Sequence, residues 1–303
     1  MSTELSGVLL INKPQGKTSH DIVGAVRRLY HTRRVGHTGT LDPMASGVLV
    51  VLIGRAAKAA EYLVADEKKY RALLCLGLTT DTEDTTGEIL TECKSIPAPS
   101  EVFAACRRFE GEIEQIPPMY SALKVNGQKL CDLARKGVSI ERKPRPVTIH
   151  ALTCLPTDRS DAYTLDVHCS SGTYIRTLCA DIGASLGCGG AMGSLCRTET
   201  GGFSLDQAHT VAELESMTEE ERLACLIPTE RLFDSLPSVR LSEFFEKLCR
   251  GGCELYQKKL RTDYPPAQRV RLCNARGEFF ALGEVREYEQ GSAIKSIKIF
   301  DLG

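Results

Sequence analysis

The sequence predicts a mixed α+β core followed by a small β-rich C-terminal module. Three observations lead there. Helix-spaced and strand-spaced apolar segments alternate irregularly through the first two-thirds of the chain, and several strand-like segments follow one another. The composition shifts near residue 205, and residues 228–237, PTERLFDSLP, read as a boundary. Beyond Ser238 come short, turn-bounded pieces with strand-like patterning, at 269–272, 278–285 and 293–300. The expected division is therefore residues 1–235 and 236–303. A chain of 303 residues fits that count at about 150 residues per domain.

Each element has its own reason. Residues 7–12 form a short strand that ends at Lys13-Pro14. Thr18 or Ser19 caps a helix that carries Ile22, Val23, Val26, Leu29 and Tyr30 on one face, with Asp21 in its first turn, where an acid complements the helix dipole. Residues 36–43 form a glycine-punctuated loop, and the unbroken apolar run that follows, 47–53, reads as a buried strand. Residues 69–77 are strand-like. Residues 100–109 place Val102, Phe103, Cys106 and Phe109 at helical spacing, with Gly111 as a stop. Tyr163, Leu165, Val167 and Cys169 alternate with polar residues, the pattern of a half-buried strand. Residues 173–186 return to helical spacing with Ile175, Leu178, Ile182 and Leu186.

Composition excludes several classes. Apolar residues make up 42% and charged residues 25%, which argues against wholesale disorder. No apolar run approaches the ~18 residues a membrane span needs, and the N-terminus lacks the basic and apolar parts of a signal peptide. The 13 cysteines contain no Cys-x-x-Cys, and the nearest pair, Cys249 and Cys253, has no histidines at zinc-motif spacing. Reduced, mostly buried thiols in a cytoplasmic protein, without a metal, are the expectation. The formal net charge of −1 excludes a uniformly basic protein that coats nucleic acid. Locally the balance differs. Residues 121–149 hold seven basic and two acidic residues, a net of +5, and residues 206–247 hold ten acidic and four basic, a net of −6. A charge run is usually a solvated face, but this partition favours a surface that tracks phosphates.

Two local features could carry chemistry. In GHTGTLDP, residues 36–43, the glycines and Pro43 present Asp42 from a stiff, non-helical loop; a turn with a capping Asp is the plainer reading. In SGTYIRTL, residues 171–178, Arg176 sits near a helix start, where a cation opposes the dipole and wants an anion. Asp42 is a candidate partner that a guanidinium would orient; a solvated surface Arg is the alternative. Tyr70 opens a strand, as a core aromatic or as a stacking group in a pocket. In QIPPMYSALK, residues 115–124, two prolines enforce an extended lead into the basic segment.

Taken in order, these segments resemble one family. Lys13-Pro14-x-Gly16-x-Thr18-Ser19, GHTGTLDP at 36–43, GVLVVLIG at 47–54, KKY at 68–70, LGLTTDTEDTTG at 76–87, QIPPMYSALKVNGQKL at 115–130, SSGTYIRTLCADIG at 170–183 and LCRTETGGF at 195–203 together resemble the bacterial TruB-type tRNA pseudouridine synthases, over residues 6–210. The resemblance implies a largely antiparallel sheet with an RNA-clamping insertion near 117–147, and a PUA-like RNA-binding module at the C-terminus. It implies isomerisation of uridine 55 in the T-loop of tRNA, in the cytoplasm, by a monomer with no cofactor and no guide RNA. Asp42 matches the catalytic aspartate, Arg176 its arginine partner, and Tyr70 the tyrosine that stacks on the base and is placed to assist proton removal at C5. His37 matches the histidine that fills the space left by the flipped nucleotide. Lys13 matches a motif lysine that supports the site or contacts phosphate, and Tyr174 and Leu195 match residues lining the base pocket. Arg197 belongs to the same pocket motif as Leu195, and Lys124, Lys129, Arg135 and Lys136 fall in the T-arm clamp. Met192 and Cys196 depart from the polar or basic residues usual there, which removes possible RNA contacts. A non-catalytic RNA-binding or tRNA-folding protein on the same scaffold, and a guide-dependent synthase, are the competing readings.

Overall fold

A computed structural model describes residues 5–63, 67–121, 123–125 and 127–300. In chain order it runs β1 (Gly7–Lys13), α1 (Ser19–Leu29), β2 (Val35–Thr38), β3 (Ala45–Ile53), β4 (Lys68–Leu76), the hairpin β5 (Leu78–Thr80) and β6 (Ile89–Glu92), α2 (Pro99–Arg107) and β7 (Gly111–Gln115). An insertion follows, with the small hairpin β8 (Lys124–Val125) and β9 (Gln128–Lys129) and the short helix α3 (Leu130–Ala134). The core continues with β10 (Arg145–Pro156), β11 (Ala162–Cys169), α4 (Ile175–Ser185), β12 (Gly190–Thr200) and β13 (Phe203–Ser204), then α5 (Val211–Ser216) and α6 (Glu219–Ala224). The C-terminal part holds β14 (Ser238–Arg240), α7 (Glu243–Arg250), β15 (Leu255–Tyr256), α8 (Gln257–Leu260), β16 (Arg269–Cys273), β17 (Phe279–Tyr288) and β18 (Gly291–Ile299).

The main sheet has nine strands in the order β1-β3-β12-β4-β11-β10-β7, with β2 added to β3 and β13 to β12. Every pairing is antiparallel except β3 with β12. Burial explains the two kinds of strand text. Leu49, Val51 and Ile53 of β3 face the main core, where Ile22, Val23 and Val26 of α1 and Ile175, Leu178 and Ile182 of α4 pack. Val48, Val50 and Leu52 face the other way, onto Phe233, Leu282 and Phe300. With both faces covered, the strand reads as an unbroken apolar run. Further along the sheet the second face is open. There β4 alternates Tyr70, Ala72 and Leu74 inward with Lys69 and Arg71 outward, each paired across the surface to Glu199 and Asp166. The C-terminal strands form a separate five-stranded sheet, β14-β16-β17-β18-β15, around its own core of Val239, Leu272, Phe280 and Ile294.

Helix α1 starts as its text requires. Thr18 is the cap, its hydroxyl accepting from Asp21 N at 3.0 Å while Asp21 Oδ2 accepts from Thr18 N at 2.8 Å. Two features differ from the sequence reading. Residues 35–38 are strand β2, so His37 lies on a strand beside β3 and not in a loop. The central strand β12 escapes the period-2 pattern because it carries two register shifts, between Met192 and Ser194 and between Arg197 and Glu199, which turn side chains out of phase. The acidic stretch after residue 205 contains α5 and α6, and part of its charge is used locally: Glu213 and Glu221 close capping boxes with Thr210 and Thr218.

Candidate active site

Loop 39–43 leaves β2 and presents Asp42, and its backbone is fastened from four directions. Arg197 of β12 donates from Nη2 to Gly39 O at 2.9 Å. Ser19, in the first turn of α1, donates from Oγ to Leu41 O at 3.1 Å and accepts from Leu41 N at 3.0 Å. Gly16 N reaches Pro43 O at 2.8 Å, and Ala45 N reaches Asp42 O at 3.0 Å. Gly39 adopts φ +66, and a Cβ there would sit 3.2 Å from the Arg197 guanidinium, so the close approach calls for glycine.

Lys13 and Arg197 are charged residues used as internal fasteners. The Lys13 side chain has no exposure, and its Nζ donates to Pro14 O at 2.9 Å, Lys17 O at 2.7 Å and Pro43 O at 3.5 Å. An ammonium has three donors, so all are committed. Of the two roles the resemblance implies for Lys13, this geometry is that of support and not of phosphate contact: it ties the β1–α1 turn to the Asp42 loop. Burial lowers its pKa, with Asp42 opposing the shift. Arg197 is 1% exposed and also donates from Nε to Val48 O at 2.8 Å. Gly47 makes the approach of β3 to Arg197 possible, because a Cβ there would lie 2.2 Å from Arg197 O.

Across the cavity, α4 brings Arg176 to Asp42, with Nη2 at 3.0 Å from Oδ2. The same guanidinium donates from Nη1 to Thr82 O at 3.1 Å and from Nη2 to Tyr120 O at 2.7 Å. Its side chain is 6% exposed while that of Asp42 is 41% exposed, so the cation is fixed inside and the carboxylate faces the opening. Thr82 lies on a loop braced by Asp84, which accepts from Thr82 Oγ1, Thr86 N and Thr86 Oγ1. Tyr174, just ahead of α4, is held by Gln115: Tyr174 N donates to Gln115 Oε1 at 3.0 Å and Gln115 Nε2 donates to Tyr174 O at 3.2 Å.

These groups enclose a cavity of ≈ 280 Å³, lined by Asp42, Tyr70, Tyr174, Arg176, Leu195 and Arg197 together with Gly39, Lys68, Ser121, Thr173 and their neighbours. Tyr70 is 8% exposed. Burial raises its phenol pKa, with the Arg197 cation opposing, so Tyr70 keeps its proton. Burial likewise raises the Tyr174 phenol. The cavity thus offers a carboxylate at its mouth, a fixed cation behind it, an aromatic face and apolar walls. It suits a flat, polar-edged ring joined to a sugar.

The remaining expected residues lie elsewhere. His37 is half-buried on β2, outside the cavity lining, with no partner for Nδ1 among the described residues, and burial lowers its pKa. Arg135 and Lys136 are exposed just past α3, Arg135 lying 3.6 Å from Asp132. Lys124 and Lys129 face each other across the β8–β9 hairpin, and their side chains lie outside the described residues. Met192 is 0% exposed in the core and Cys196 is half-buried. This corrects the reading of Met192 as a position facing RNA: a polar side chain there would meet the interior. Sequence reasoning passed over Ser19, Gln115 and Ser121. Ser19 and Gln115 are lone polar residues whose partners lie far along the chain, and the Ser121 hydroxyl has no partner among the described residues; no spacing rule detects either case.

Comparison with known proteins follows the same outline. A sequence model of the TruB family pseudouridylate synthase, N terminal domain, matches residues 27–175, and one of the tRNA pseudouridylate synthase B C-terminal domain matches residues 176–234. Their junction falls at the first turn of α4, inside the main sheet's domain. The tRNA pseudouridine synthase B of Alkaliphilus oremlandii is 43% identical over 299 residues, 98% of each chain. That of Ralstonia nicotianae is 43% identical over 278 residues, 91% of this chain and 88% of the other. Among solved structures, a crystal structure of a Cbf5-Nop10-Gar1 complex matches with a TM-score of 0.75 and 26% identity, covering 97% of this chain and 85% of that one.

Proposed function

The chain belongs to the TruB family of tRNA pseudouridine synthases, and from that premise we propose that it isomerises uridine 55 in the T-loop of tRNA, with Asp42 as the catalytic group. The observation that carries the reading is the Asp42–Arg176 pair, 3.0 Å apart at the mouth of a cavity backed by Tyr70.

The reaction breaks the N1–C1′ bond, turns the uracil and joins C5 to C1′; the C5 proton leaves and N1 takes one up, so product and substrate are isomers. Nothing is oxidised and no outside group is transferred. A stacked base hides C1′ and both of its faces, so the uridine enters flipped out of its loop. Leu195, Ile175 and the Tyr70 ring then exclude water around the ring. Arg176 holds one oxygen of the Asp42 carboxylate, leaving the other for the sugar. From there the carboxylate serves either as nucleophile at C1′ or C6 or as base toward a sugar proton. Tyr70, with its proton retained, serves chiefly as the stacking face.

The insertion, with Lys124, Lys129, Arg135 and Lys136, supplies cations for T-arm phosphates. Residues 236–303 add a second RNA-binding surface, and the protein acts in the cytoplasm as a monomer, without guide RNA. The test is Asp42→Asn, which keeps the shape and removes the charge. It should bind a T-arm stem-loop normally and leave its uridine unconverted, read by chemical detection of pseudouridine. Normal conversion by this variant would sink the assignment, as would failure of the wild-type chain to convert the stem-loop without guide RNA.

A further inference from the structure

We propose that Ser121 is a substrate-contacting residue, whose hydroxyl donates a hydrogen bond to a carbonyl oxygen of the flipped uracil. The inference rests on the function proposed above and extends it to an atom that the sequence motifs did not single out.

Ser121 is 5% exposed and lines the cavity that holds Asp42, Tyr70 and Arg176. Its Oγ is buried and has no hydrogen-bond partner among the described residues. It approaches the Tyr174 phenol closely enough to moderate that group's pKa, without meeting it at hydrogen-bond geometry. A buried hydroxyl left unpaired is costly in a folded chain, and a cavity wall is where such a group can find its partner in a ligand. The backbone around it is anchored. Ser121 O accepts from Cys131 N at 3.0 Å, and the preceding carbonyl, Tyr120 O, accepts from Arg176 at 2.7 Å. The hydroxyl is therefore presented from a fixed position beside the catalytic pair.

The chemistry of the ring supplies the partner. When the N1–C1′ bond breaks, electron density builds on the two carbonyl oxygens of the detached uracil. Turning the ring about the axis through N3 and C6 brings C5 to the place of N1 and exchanges O2 with O4. A donor aimed at a carbonyl before the turn thus meets a carbonyl after it. A hydroxyl suits this duty because its proton rotates to follow the acceptor. No bond of Ser121 is made or broken.

The experiment compares the wild-type chain with Ser121→Ala, Ser121→Cys and Ser121→Thr, measuring stem-loop affinity, single-turnover conversion and melting temperature. Losing one neutral hydrogen bond in the reacting complex should slow conversion about five- to tenfold in the Ala and Cys variants. Stem-loop affinity should stay within about twofold, since RNA is held over a wider surface. The Ala variant should melt at the wild-type temperature or above, because the hydroxyl it removes has no partner in the free protein. Thr, which keeps the hydroxyl, should convert within about threefold of wild type, on the same hydrogen-bond scale. Full conversion by Ala and Cys would overturn the proposal. So would a lowered melting temperature for Ala, which would make the hydroxyl structural. Should Thr not fold, the near-isosteric Ser–Cys comparison decides alone. If the wild-type chain itself converts no uridine, the failure belongs to the proposed function and not to Ser121.

Discussion

Replacing Arg176 by Lys separates charge from geometry at the catalytic pair. The guanidinium serves three acceptors at once: Asp42 Oδ2 at 3.0 Å, Thr82 O at 3.1 Å and Tyr120 O at 2.7 Å. A lysine keeps the positive charge but is a point donor on a flexible stem and cannot reproduce the planar fork. If the ammonium stays on Asp42, the two carbonyls lose a charged donor, worth about 1.5–3 kcal/mol each. If it retreats to the carbonyls, Asp42 loses its orientation. The Coulombic part of the pair is modest, because the Asp42 side chain is 41% exposed and partly screened. The cost therefore falls on positioning. We expect roughly 2.7 kcal/mol in the barrier, about a hundredfold in single-turnover rate. Stem-loop affinity should change by less than about threefold, since phosphate contacts carry most of it. Pseudouridine formation under single-turnover conditions, with binding measured separately, gives both numbers. Conversion by the Arg176→Lys variant within about fivefold of wild type (roughly 1 kcal/mol) would show that charge alone suffices and would refute the positional argument.

Other perturbations test other parts of the structure. Changing Lys124, Lys129, Arg135 and Lys136 together to Gln should weaken tRNA binding and flatten its salt dependence, by about 0.7–0.9 in log–log slope for each phosphate no longer neutralised; unchanged binding would leave the insertion a solvated face. Burial and the nearby Glu83 raise the Asp181 carboxyl to about 6 from 3.8. A carboxyl raised in the folded state costs stability as pH climbs from its unfolded value through the folded one. Asp181→Asn should therefore raise the melting temperature at pH 7.5 and leave it nearly unchanged at pH 3.5; a lower melting temperature at pH 7.5 would contradict that sign. Gly47→Ala places a Cβ 2.2 Å from Arg197 O at φ +106, where the neighbour is backbone. It should cost about 3 kcal/mol or more and abolish conversion, and a melting temperature within about 2 °C of wild type (about 0.5 kcal/mol for a chain of this size) would refute the clash.

The legible part of this protein was the part written in local patterns. The helical faces of α1 and α4, the alternation of β11 and the runs of the C-terminal module followed from spacing. The ordered motifs singled out Asp42, Tyr70 and Arg176, which the structure brings to one cavity. What escaped depends on distant partners. The burial of Lys13 and Arg197 was not legible, because charged side chains are rarely buried unless paired. Their distant partners are carbonyls of residues 43, 39 and 48, invisible until the sheet has formed. Strand β12 escaped because its bulges break the alternation, and one of them adjoins Arg197. The irregularity that hid the strand lies beside the residue that fastens the catalytic loop.

The same long-range wiring bears on how RNA contact could reach the chemistry. Gln115 pairs with Arg145 across β7 and β10, so the two ends of the insertion meet at one register position. Its side chain simultaneously grips both backbone groups of Tyr174. Within the insertion, the Tyr120 carbonyl accepts from the guanidinium that orients Asp42, and Ser121 lines the cavity. The element expected to grip the T-arm is therefore also a wall of the base pocket. Preorganised groups act only while their supports hold them in place. A shift of residues 120 and 121 by a fraction of a hydrogen-bond length would be felt at Arg176 without any intervening conformational step. Seating of the insertion on RNA and alignment of the Asp42–Arg176 pair should thus be one event, and a substrate too short to engage the insertion should lose conversion rate as well as affinity.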